Sequence, residues 1–393
     1  MKPGNALIAG AGIGGISAAL MLSSMGWHCR VLERRLETSE AGAGIQIGPN
    51  GTRILHELGV APALVATVGV PRSIRMRDGR SGELLSQLPL GDWIADRHGA
   101  PYWTAHRADL HAALADTLRG NADANITLGF EIARIDLAAD LVSVTSSDGR
   151  HATGDILIGA DGFNSSVRRL TFGDFPLTSS GRTATRAVIA NDNAVTQHLG
   201  QHVGIWLAPG AHVVHYPVRG GAEIALVVFT QDAARPQGWN TAIDARLILT
   251  KLTGLAPELL AIVERATTWR QWSLLTTPRL PAWSRDRTIL LGDATQPILP
   301  FLAQGAVMAL EDAEALGRAI NSASEHQAAF TAYDASRRTR KLRVQNAAAR
   351  NGTIYHLSGA MAAARNLTLR VMPADRLMAS YDWLYGYRPV DVG

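Results

Sequence analysis

A chain of 393 residues is too long for one small hydrophobic core, so its length predicts two domains. Apolar residues make up 47% of the chain and charged residues 18%, a balance that excludes wholesale disorder. The net charge of +4 is spread along the sequence, which argues against a nucleic-acid-binding stripe. Cys29 is the only cysteine, and no secretory signal is recognisable. We therefore expect a soluble, cytoplasmic protein without a disulfide or a membrane span.

The densest basic run consists of Arg337, Arg338, Arg340, Lys341 and Arg343. The run lies in a stretch with the composition of a helix, and charge runs of this kind most often face the solvent. The prediction is a solvated helix face, and a nucleic-acid contact is the alternative.

The stretch from Asn5 to Glu33 joins a short apolar run, a glycine cluster, an alanine-rich segment of helical length and a second apolar run that ends in an acid. This order is the dinucleotide-binding fingerprint of a Rossmann-like unit, in which a phosphate lies at a helix N-terminus. Gly10 permits the tight turn, and Gly12 has no side chain that would block a pyrophosphate. Gly15 lets the helix lie close to the strand. The predicted cofactor-binding residues in this stretch are Gly10, Gly12, Ile13, Gly14, Gly15, Glu33 and Arg34.

The carboxylate of Glu33 is suited to accept hydrogen bonds from a ribose 2′-OH. It therefore favours FAD or NAD over NADP, and the neighbouring Arg34 and Arg35 make this preference less sharp.

Downstream of Glu33, a glycine-rich approach at residues 41–44 leads to Gln46, and a helix is predicted from Thr52. Glycine on both sides lets the backbone come close to a flat ring, to which Gln46 can offer its amide. The Asp78-Gly79 pair predicts a hairpin within residues 72–92.

A helix is predicted over residues 104–118, with Arg107 at its start. A cation at a helix N-terminus is unfavourable with the helix dipole. Arg107 should therefore have an anionic partner, either a phosphate or a surface carboxylate.

Residues 126–158 alternate as strands, and residues 156–158 have the apolar character of a buried parallel strand. The turn that follows contains Asp161, and a basic helix begins at Asn164 or Ser165. From about residue 178 to 271 the pattern becomes that of an antiparallel sheet, with a short helical insert near residues 241–265.

Parallel-strand character returns at residues 287–292 and is followed by Asp293. Helices are predicted from Gly305 to about Ser322 and over about 326–364. The fold class is therefore α/β, with a mainly antiparallel sheet inserted into a dinucleotide-binding unit and helices at the C-terminus.

The predicted boundaries divide the chain into three parts. A discontinuous nucleotide-binding domain takes residues 1–71, 100–177 and 285–350. A substrate domain takes residues 72–99 and 178–284, and a C-terminal helical segment takes residues 351–393.

Three separated motifs, Gly10-x-Gly12-x-x-Gly15 with Glu33, Gly159–Gly162 and Gly292-Asp293, stand in the order seen in a known family. The chain resembles the class A FAD-dependent aromatic hydroxylases, which are similar to para-hydroxybenzoate hydroxylase. Its similarity is greatest to the branch that contains salicylate hydroxylase, 3-hydroxybenzoate 6-hydroxylase and 6-hydroxynicotinate 3-monooxygenase. The supporting stretches are GAGIQIGPN, PYWTAHRADLH, HVVHYPVRGG and AQGAVMALEDA.

This resemblance implies an FAD site. Asp293, with Gly292, would hold the ribityl chain, and the Asp161 loop would serve both FAD and NAD(P)H. Gly305 and Ala306 open a helix whose free N–H groups would face the flavin, where they stabilise negative charge. Arg107 would meet the pyrophosphate. Many relatives carry a histidine at the position of Gln296, where glutamine can donate and accept a hydrogen bond but cannot become cationic.

The implied reaction is hydroxylation of a small phenolic or hydroxylated N-heteroaromatic carboxylic acid, with NAD(P)H and O2 and through a flavin hydroperoxide. His212 and Tyr216 project from the same face of a predicted strand, and His215 from the other. His212 is the candidate base or proton relay, and Tyr216 and Gln46 complete the catalytic candidates. Further candidates, for contact with the substrate, are Tyr102, His215 and Pro300.

Non-catalytic alternatives stay open for these residues. His212 would then be a hydrogen-bonded core histidine, and Tyr216 a core residue. Arg186 and Arg219 are candidates for pairing with a substrate carboxylate, but surface ion pairs are the favoured interpretation. No cluster has metal-ligand spacing.

Two other classes of function compete with the hydroxylase hypothesis. One is an FAD-dependent dehydrogenase or oxidase that inserts no oxygen, and the other is a binding or regulatory flavoprotein, or a nucleic-acid binder. The aromatic stretch 381–387 is suited to seal a pocket or to form a homodimer. The substrate, the fate of its carboxylate and the choice between NADH and NADPH stay open.

Overall fold

The computed structural model describes residues 2–37, 44–138, 140–192, 196–232 and 240–389. The glycine-rich approach predicted at residues 41–44 lies outside the described residues except for Gly44. The last four residues of the predicted C-terminal segment lie outside them as well.

The strands are given in chain order. They are β1 (Asn5–Ala9), β2 (His28–Leu32), β3 (Gly44–Ile47), β4 (Ser73–Asp78), β5 (Leu84–Pro89), β6 (Trp103–His106), β7 (Ala124–Thr127), β8 (Ile132–Leu137), β9 (Val142–Ser146), β10 (His151–Gly154), β11 (Ile156–Gly159), β12 (Thr178–Ala190), β13 (His202–Ala208), β14 (Ala211–Val218), β15 (Glu223–Gln231), β16 (Thr241–Ile243), β17 (Trp269–Thr276), β18 (Ser284–Arg285) and β19 (Thr288–Leu290).

The α-helices follow the same numbering. They are α1 (Ile13–Ser23), α2 (Pro49–Glu57), α3 (Ala61–Leu64), α4 (Asp92–His98), α5 (Arg107–Arg119), α6 (Ser166–Phe172), α7 (Ala245–Lys251), α8 (Pro257–Glu264), α9 (Gly305–Ser322), α10 (His326–Tyr355), α11 (Gly359–Val371), α12 (Ala374–Ala379) and α13 (Asp382–Tyr385). Short 3-10 turns lie at Gln197–Gln201, Arg219–Gly221, Gly292–Ala294 and Pro300–Leu302.

A six-stranded sheet contains the dinucleotide-type segment. Its strand order is β18–β19–β11–β1–β2–β7, and β1 pairs in parallel with both β2 and β11. The apolar runs 6–9 and 156–158 are buried, as strands in the middle of a parallel sheet require. Helix α1 packs against α5 and α9, which covers one side of this sheet. The predicted α/β class is confirmed.

An eight-stranded sheet forms the second large unit, in the order β16–β17–β12–β15–β14–β13–β4–β5. Most neighbours are antiparallel, and β4 joins β13 in parallel. The predicted hairpin at residues 72–92 is β4–β5, with its turn after Asp78. The predicted helical insert is α7 and α8, whose Ile248, Leu259 and Ile262 pack in one apolar cluster with Val213 and Val228 of the sheet.

Two predicted helix starts differ from the structure. The helix expected from Thr52 begins at Pro49, because proline suits the first helical turn. The helix expected over 104–118 begins at Arg107, because residues 103–106 pair with β3 as strand β6.

The long C-terminal helix predicted over 326–364 is two helices. Helix α10 ends at Tyr355, and α11 begins at Gly359, whose φ is +56°. Arg365 of α11 donates from Nη1 to the carbonyl oxygens of Ile354 and Tyr355 at 3.1 and 3.0 Å. These bonds satisfy acceptors that the end of α10 leaves free, so the interruption is stabilised by a side chain that lies beyond it.

The basic run on α10 is largely buried, so the prediction of a solvated helix face was wrong. Arg337 has no exposed surface and pairs with Glu311 at 2.8 Å and Asp312 at 2.7 Å on α9. Arg340 also pairs with Glu311, at 2.9 Å, and Lys341 lies 3.3 Å from Asp312. The acids of α9 supply the counter-charges that let these cations leave water.

The aromatic stretch at residues 381–387 packs inward in part. Tyr385 is buried, and its ring lies edge-on to Tyr102 with centroids 6.0 Å apart. Trp383 lies 4.1 Å from the guanidinium carbon of Arg343.

Within the residues that the structure describes, no helix is both long enough and apolar enough to cross a membrane. The same residues contain no cluster of histidine, cysteine or acidic side chains suited to hold a metal ion. Cys29 is buried, and burial raises the pKa of its thiol to about 12, so it is inert as a nucleophile near neutral pH.

Candidate active site

The N-terminal glycines form a cradle with no room for side chains. Gly10 has a φ of +96°, and a Cβ there would lie 2.7 Å from the carbonyl oxygen of Ala160. A Cβ on Gly15 would lie 1.9 Å from the carbonyl oxygen of Gly10. Gly12 precedes α1, and no side chain caps that helix. The first N–H groups of α1 therefore stay available to an anion.

Glu33 follows β2 and lies beside this cradle. Its Oε2 accepts a hydrogen bond from the Ala11 N–H at 2.8 Å, and its Oε1 accepts one from the Arg35 N–H at 2.9 Å. These bonds fix the carboxylate at the carboxyl ends of β1 and β2. A carboxylate has further lone pairs, so it can still accept from a ribose hydroxyl.

Asp161 comes directly after β11, in the second glycine motif. Its carboxylate accepts from Ser165 Oγ at 2.5 Å and from the Val167 N–H at 3.1 Å, so it also holds the start of α6. Burial raises the pKa of Asp161 above its ordinary value, although these hydrogen bonds oppose the shift.

Asp293 lies in the third motif, and burial raises the pKa of its carboxyl group as well. The positive charges of Lys341, Arg107 and Arg168 oppose this shift. No hydrogen bond to the Asp293 carboxylate occurs within the described part of the chain. A desolvated acceptor of this kind is suited to a ligand hydroxyl group.

The N-terminus of α9 points a second helix dipole at the same region. Gly305 begins this helix, a Cβ placed on it would meet open space, and Gln304 makes no capping bond. The amide oxygen of Gln304 instead accepts from Asn50 Nδ2 at 3.0 Å, which fixes the preceding turn. A positive helix end here stabilises negative charge on a ligand.

One cavity of about 480 Å³ joins all three motifs, and we call it the front cavity. Its wall includes most of the predicted cofactor and site residues. They are Gly10, Gly12, Ile13, Gly14, Glu33, Arg34, Gln46, Arg107, Asp161, Tyr216, Gly292, Asp293, Pro300, Gly305 and Ala306. Gly15 lies beneath the cradle, where the helix meets the strand.

The far end of the front cavity reaches the eight-stranded sheet. Val214 and Tyr216 of β14, Phe229 of β15 and Trp272 of β17 line it. Burial raises the pKa of Tyr216 to about 12, and nearby Arg186 opposes this shift. Tyr216 is therefore a neutral hydroxyl near pH 7, able to donate and to accept.

Arg186 of β12 also lines the front cavity, so the surface ion pair favoured for it was wrong. Its guanidinium carbon lies 5.0 Å from the Trp272 ring, and its buried Nε has no hydrogen-bond partner. Within the described residues it forms no ion pair, and burial lowers its pKa. The alternation of β12 directs this side chain towards the front cavity.

Arg219 behaves as expected for a surface residue. Its side chain is 48% exposed and pairs with Glu223 at 3.0 Å and Asp109 at 3.6 Å.

Three of the predicted catalytic and substrate-contact residues do not line the front cavity. His212 is 1% exposed, stacks on Phe229 with centroids 4.4 Å apart, and shares a hydrogen bond with His356. These are the contacts of a hydrogen-bonded core histidine. His215 projects from the other face of the sheet. Tyr102 donates from its hydroxyl to Gln46 Oε1 at 2.7 Å. It therefore contacts a residue that lines the cavity but does not line the cavity itself.

Gln296, which stands where many relatives carry histidine, does not line the front cavity. Its Nε2 donates to the carbonyl oxygen of Thr277 at 3.5 Å. Sequence reasoning also missed the apolar lining residues Phe229, Leu274 and Leu299, because strand and loop apolar residues give no separate signal for a ligand wall.

Comparison with known proteins agrees with this geometry. The sequence profile of the family described as FAD binding domain matches residues 4–351. A 3-hydroxybenzoate 6-hydroxylase from Klebsiella oxytoca is 34% identical over 98% of this chain and 96% of its own length. A 6-hydroxynicotinate 3-monooxygenase from Pseudomonas fluorescens is 34% identical over 86% of this chain and 88% of its own.

Solved structures share the fold. The crystal structure of Klebsiella pneumoniae HpxO complexed with FAD and uric acid has a TM-score of 0.85 at 26% identity, covering 96% of this chain and 95% of that one. A salicylate hydroxylase substrate complex has a TM-score of 0.82 at 22% identity, covering 98% and 95%, and supports the fold alone. The glycine cradle, the two uncapped helix ends and these full-length matches lead to one conclusion: the chain belongs to the FAD-binding family of aromatic hydroxylases.

Proposed function

We propose that this protein is a single-component flavin monooxygenase that hydroxylates a small phenolic or hydroxylated N-heteroaromatic carboxylic acid with NADH or NADPH and O2. The domain boundaries given above, the site residues and a homodimer are parts of the same proposal. The observation that carries it is Arg186, a half-buried arginine that forms no ion pair with the described residues and lines a cavity continuous with the cofactor cradle.

The residues present fit FAD. The cradle of Gly10 and Gly12, with the α1 N-terminus and Arg107, would hold the pyrophosphate, and Glu33 would bind the ribose. Asp293 would accept from ribityl hydroxyl groups, and the α9 N-terminus would face the electron-accepting end of the ring. When bound, the flavin supplies electron transfer from the nicotinamide and the activation of oxygen.

Arg186 is the reason to propose a substrate that carries a carboxylate. A guanidinium group that leaves water without a counter-charge is costly, and a planar carboxylate matches its paired N–H donors. Arg186 pairs across the sheet with Val227, and Val227 pairs with Val214, so all three lie in one row. A carboxylate at Arg186 would leave the ring of the substrate over this apolar row.

The hydroxyl group of the substrate would lie near Tyr216. Tyr216 and Arg186 line the same cavity, and the positive charge of Arg186 opposes the rise in the pKa of Tyr216. A neutral tyrosine can orient a phenol by donating or accepting one hydrogen bond, and Gln46, which lines the same cavity, offers an amide.

His212 stays a candidate base or proton relay in this proposal. Phe229 is stacked on its ring and itself lines the front cavity. A direct role would therefore need Phe229 to move aside during turnover.

The test is a screen of hydroxybenzoates and hydroxypyridine carboxylates for NADH oxidation, oxygen uptake and product mass. Each acid is paired with its analogue that lacks the carboxylate. The proposal expects oxygen consumption and a product one oxygen atom heavier, for acids far more than for the analogues. Turnover without oxygen uptake would instead support the dehydrogenase or oxidase alternative, and NADPH in parallel decides the co-substrate.

A further inference from the structure

A second cavity lies on the opposite face of the eight-stranded sheet from the front cavity. It measures about 460 Å³ and is bounded by β4, β13, β14 and α8. We call it the back cleft. Its wall consists of Arg75, Arg77, Ser81, Gly82, Glu83, His198, Leu199, His202, Gly204, Trp206, His215, Glu258, Ala261 and Ile262. The aromatic-hydroxylase proposal uses none of these residues except His215, a candidate for substrate contact.

Two arginines give the back cleft a positive wall. Arg75 and Arg77 stand two residues apart on β4, so they project from the same face. Arg75 donates from Nε to Gln87 Oε1 at 3.2 Å, and Arg77 donates from Nη1 to the Gly82 carbonyl oxygen at 2.8 Å. Burial lowers the pKa of Arg75, and the like charge of Arg77 lowers it further.

The acids of the back cleft do not neutralise these arginines. Glu83 pairs with Arg370 on α11, and Glu258 lies exposed at the rim. No ion pair to Arg75, Arg77 or Glu258 occurs among the residues that the structure describes. Two neighbouring cations without a counter-charge repel each other, and an anion bound between them would relieve that repulsion.

The floor of the back cleft is polar and has unsatisfied atoms. His215 Nδ1 and Trp206 Nε1 are buried, and within the described chain neither has a hydrogen-bond partner. The His215 ring lies over Gly204, where a Cβ would be only 1.9 Å from His215 Nε2. His202 uses Nδ1 in a hydrogen bond with Ser73 Oγ at 2.9 Å, which leaves its Nε2 for another partner.

The imidazoles do not add positive charge near neutral pH. Burial, together with the neighbouring positively charged groups, lowers the pKa of His202 to about 4 and that of His215 to about 3. The charge of the back cleft therefore comes from the arginines, and the histidines serve as neutral hydrogen-bonding groups.

The remaining wall is apolar. Leu199 and Ile262 are buried, and Ala261 lies beside Ile262 on α8. Arg77 covers the Trp206 ring, with the guanidinium carbon 5.3 Å from its centroid, so that ring is not free to stack on a ligand. The arrangement suits a compact carbon chain attached to one anionic group.

We infer that the back cleft is a second binding site, for a small organic acid whose carboxylate lies between Arg75 and Arg77 and whose carbon chain packs on Leu199 and Ile262. This inference is independent of the reaction at the front cavity and would stand if that reaction proved different.

The experiment measures binding to the FAD-loaded protein by calorimetry, with hexanoate as the probe. Hexan-1-ol lacks the charge, and inorganic phosphate lacks the carbon chain. Ring signals of His202 and His215 in NMR spectra report the place of binding. The variants are Arg75→Gln with Arg77→Gln, the single Arg75→Gln, Arg80→Gln on the same hairpin, and Arg186→Gln in the front cavity.

The inference predicts saturable hexanoate binding that shifts both histidine signals and weakens at least about tenfold in the double variant, because the charged partners are lost. Arg80→Gln and Arg186→Gln should leave this binding unchanged. Should the double variant fail to retain FAD, the single Arg75→Gln variant, expected to lose part of the affinity, replaces it.

Three outcomes would overturn the inference. One is no saturable hexanoate binding to the wild-type protein. Another is equal affinity in the wild-type and arginine variants. The third is binding of hexan-1-ol or of phosphate as tight as that of hexanoate, since the site would then be a plain apolar pocket or an unselective anion site.

Discussion

Nδ1 of His212 lies 2.7 Å from Nε2 of His356, so a histidine of the eight-stranded sheet is joined to the residue that directly follows α10. Burial lowers the pKa of His212 well below its ordinary value and that of His356 to about 4. Two neutral imidazoles satisfy each other in this geometry, because one donates and the other accepts. The hydrogen bond needs one acceptor nitrogen, so the pair links the sheet to the end of α10 only while at least one of the two rings is uncharged.

The histidine pair makes stability depend on pH. Both groups have folded-state pKa values below the unfolded value of about 6.5, so the unfolded chain binds protons first as the pH falls. Their contribution is fully present above about pH 6.5 and is lost towards pH 4. We expect the free energy of unfolding, measured by urea titration, to decrease across that window.

The matched variants are His356→Gln and His28→Gln. Glutamine at 356 removes one protonating group, so the slope of unfolding free energy against pH should shrink by up to about 1.4 kcal/mol per pH unit. The His28 imidazole is 67% exposed and should leave the slope close to wild type. An unchanged slope in His356→Gln would contradict the assigned environment.

Replacing Arg337 by methionine should destabilise the protein strongly. The substitution leaves Glu311 and Asp312 buried with fewer counter-charges, a change that typically costs about 3–5 kcal/mol. Arg338→Met is the control, because that side chain is 36% exposed and pairs with Asp334 within the same helix. It should cost no more than about 1 kcal/mol. Similar losses in the two variants, measured by urea unfolding, would refute the buried network.

Glu33→Ala should weaken FAD binding. The carboxylate is fixed by two backbone N–H groups, so its loss removes a preorganised acceptor for the ribose and costs about 1–3 kcal/mol of affinity. Reconstitution of apoprotein, followed by flavin fluorescence, measures the effect. Asp123→Asn, in an exposed acid beside the start of β7, is the control. FAD affinity that is equal in the two variants would remove Glu33 from the cofactor site.

Arg186→Met should weaken substrate binding and leave cofactor binding unchanged. With an acid substrate, KM should rise by about 10²-fold or more, which corresponds to the loss of a desolvated, charge-assisted pair of about 3 kcal/mol. FAD content should stay at the wild-type level. Arg219→Met, which removes a surface ion pair, should change KM by less than about threefold. A KM that rises equally for the analogue without a carboxylate would argue for a packing role.

Much of the fold could be predicted from local sequence. The acids Glu33, Asp161 and Asp293 each follow a short apolar strand. Because these strands are parallel, the sequence places all three acids at the same edge of the sheet. The start of α9 at Gly305 could also be predicted, because a glycine followed by apolar residues at helical spacing is a local signal.

Residues whose state depends on distant partners could not be predicted in this way. The cations of α10 are buried because Glu311 and Asp312 of another helix neutralise them. Arg186 looked like a surface cation because nothing near it in sequence shows that its strand borders a cavity. The prediction that His212 projects from the same strand face as Tyr216 was correct. Phe229, which stacks on the His212 ring, belongs to a neighbouring strand, so the local sequence gave no sign of this contact.

The central claim is that the protein inserts one atom of oxygen into an acid held in the front cavity. The most direct measurement is turnover of the best acid from the screen under isotopically labelled oxygen gas, with the product analysed by mass spectrometry. We predict one labelled oxygen atom in each product molecule, formed in step with NADH oxidation. NADH oxidation that yields only hydrogen peroxide, or a product whose new oxygen carries no label, would contradict the claim.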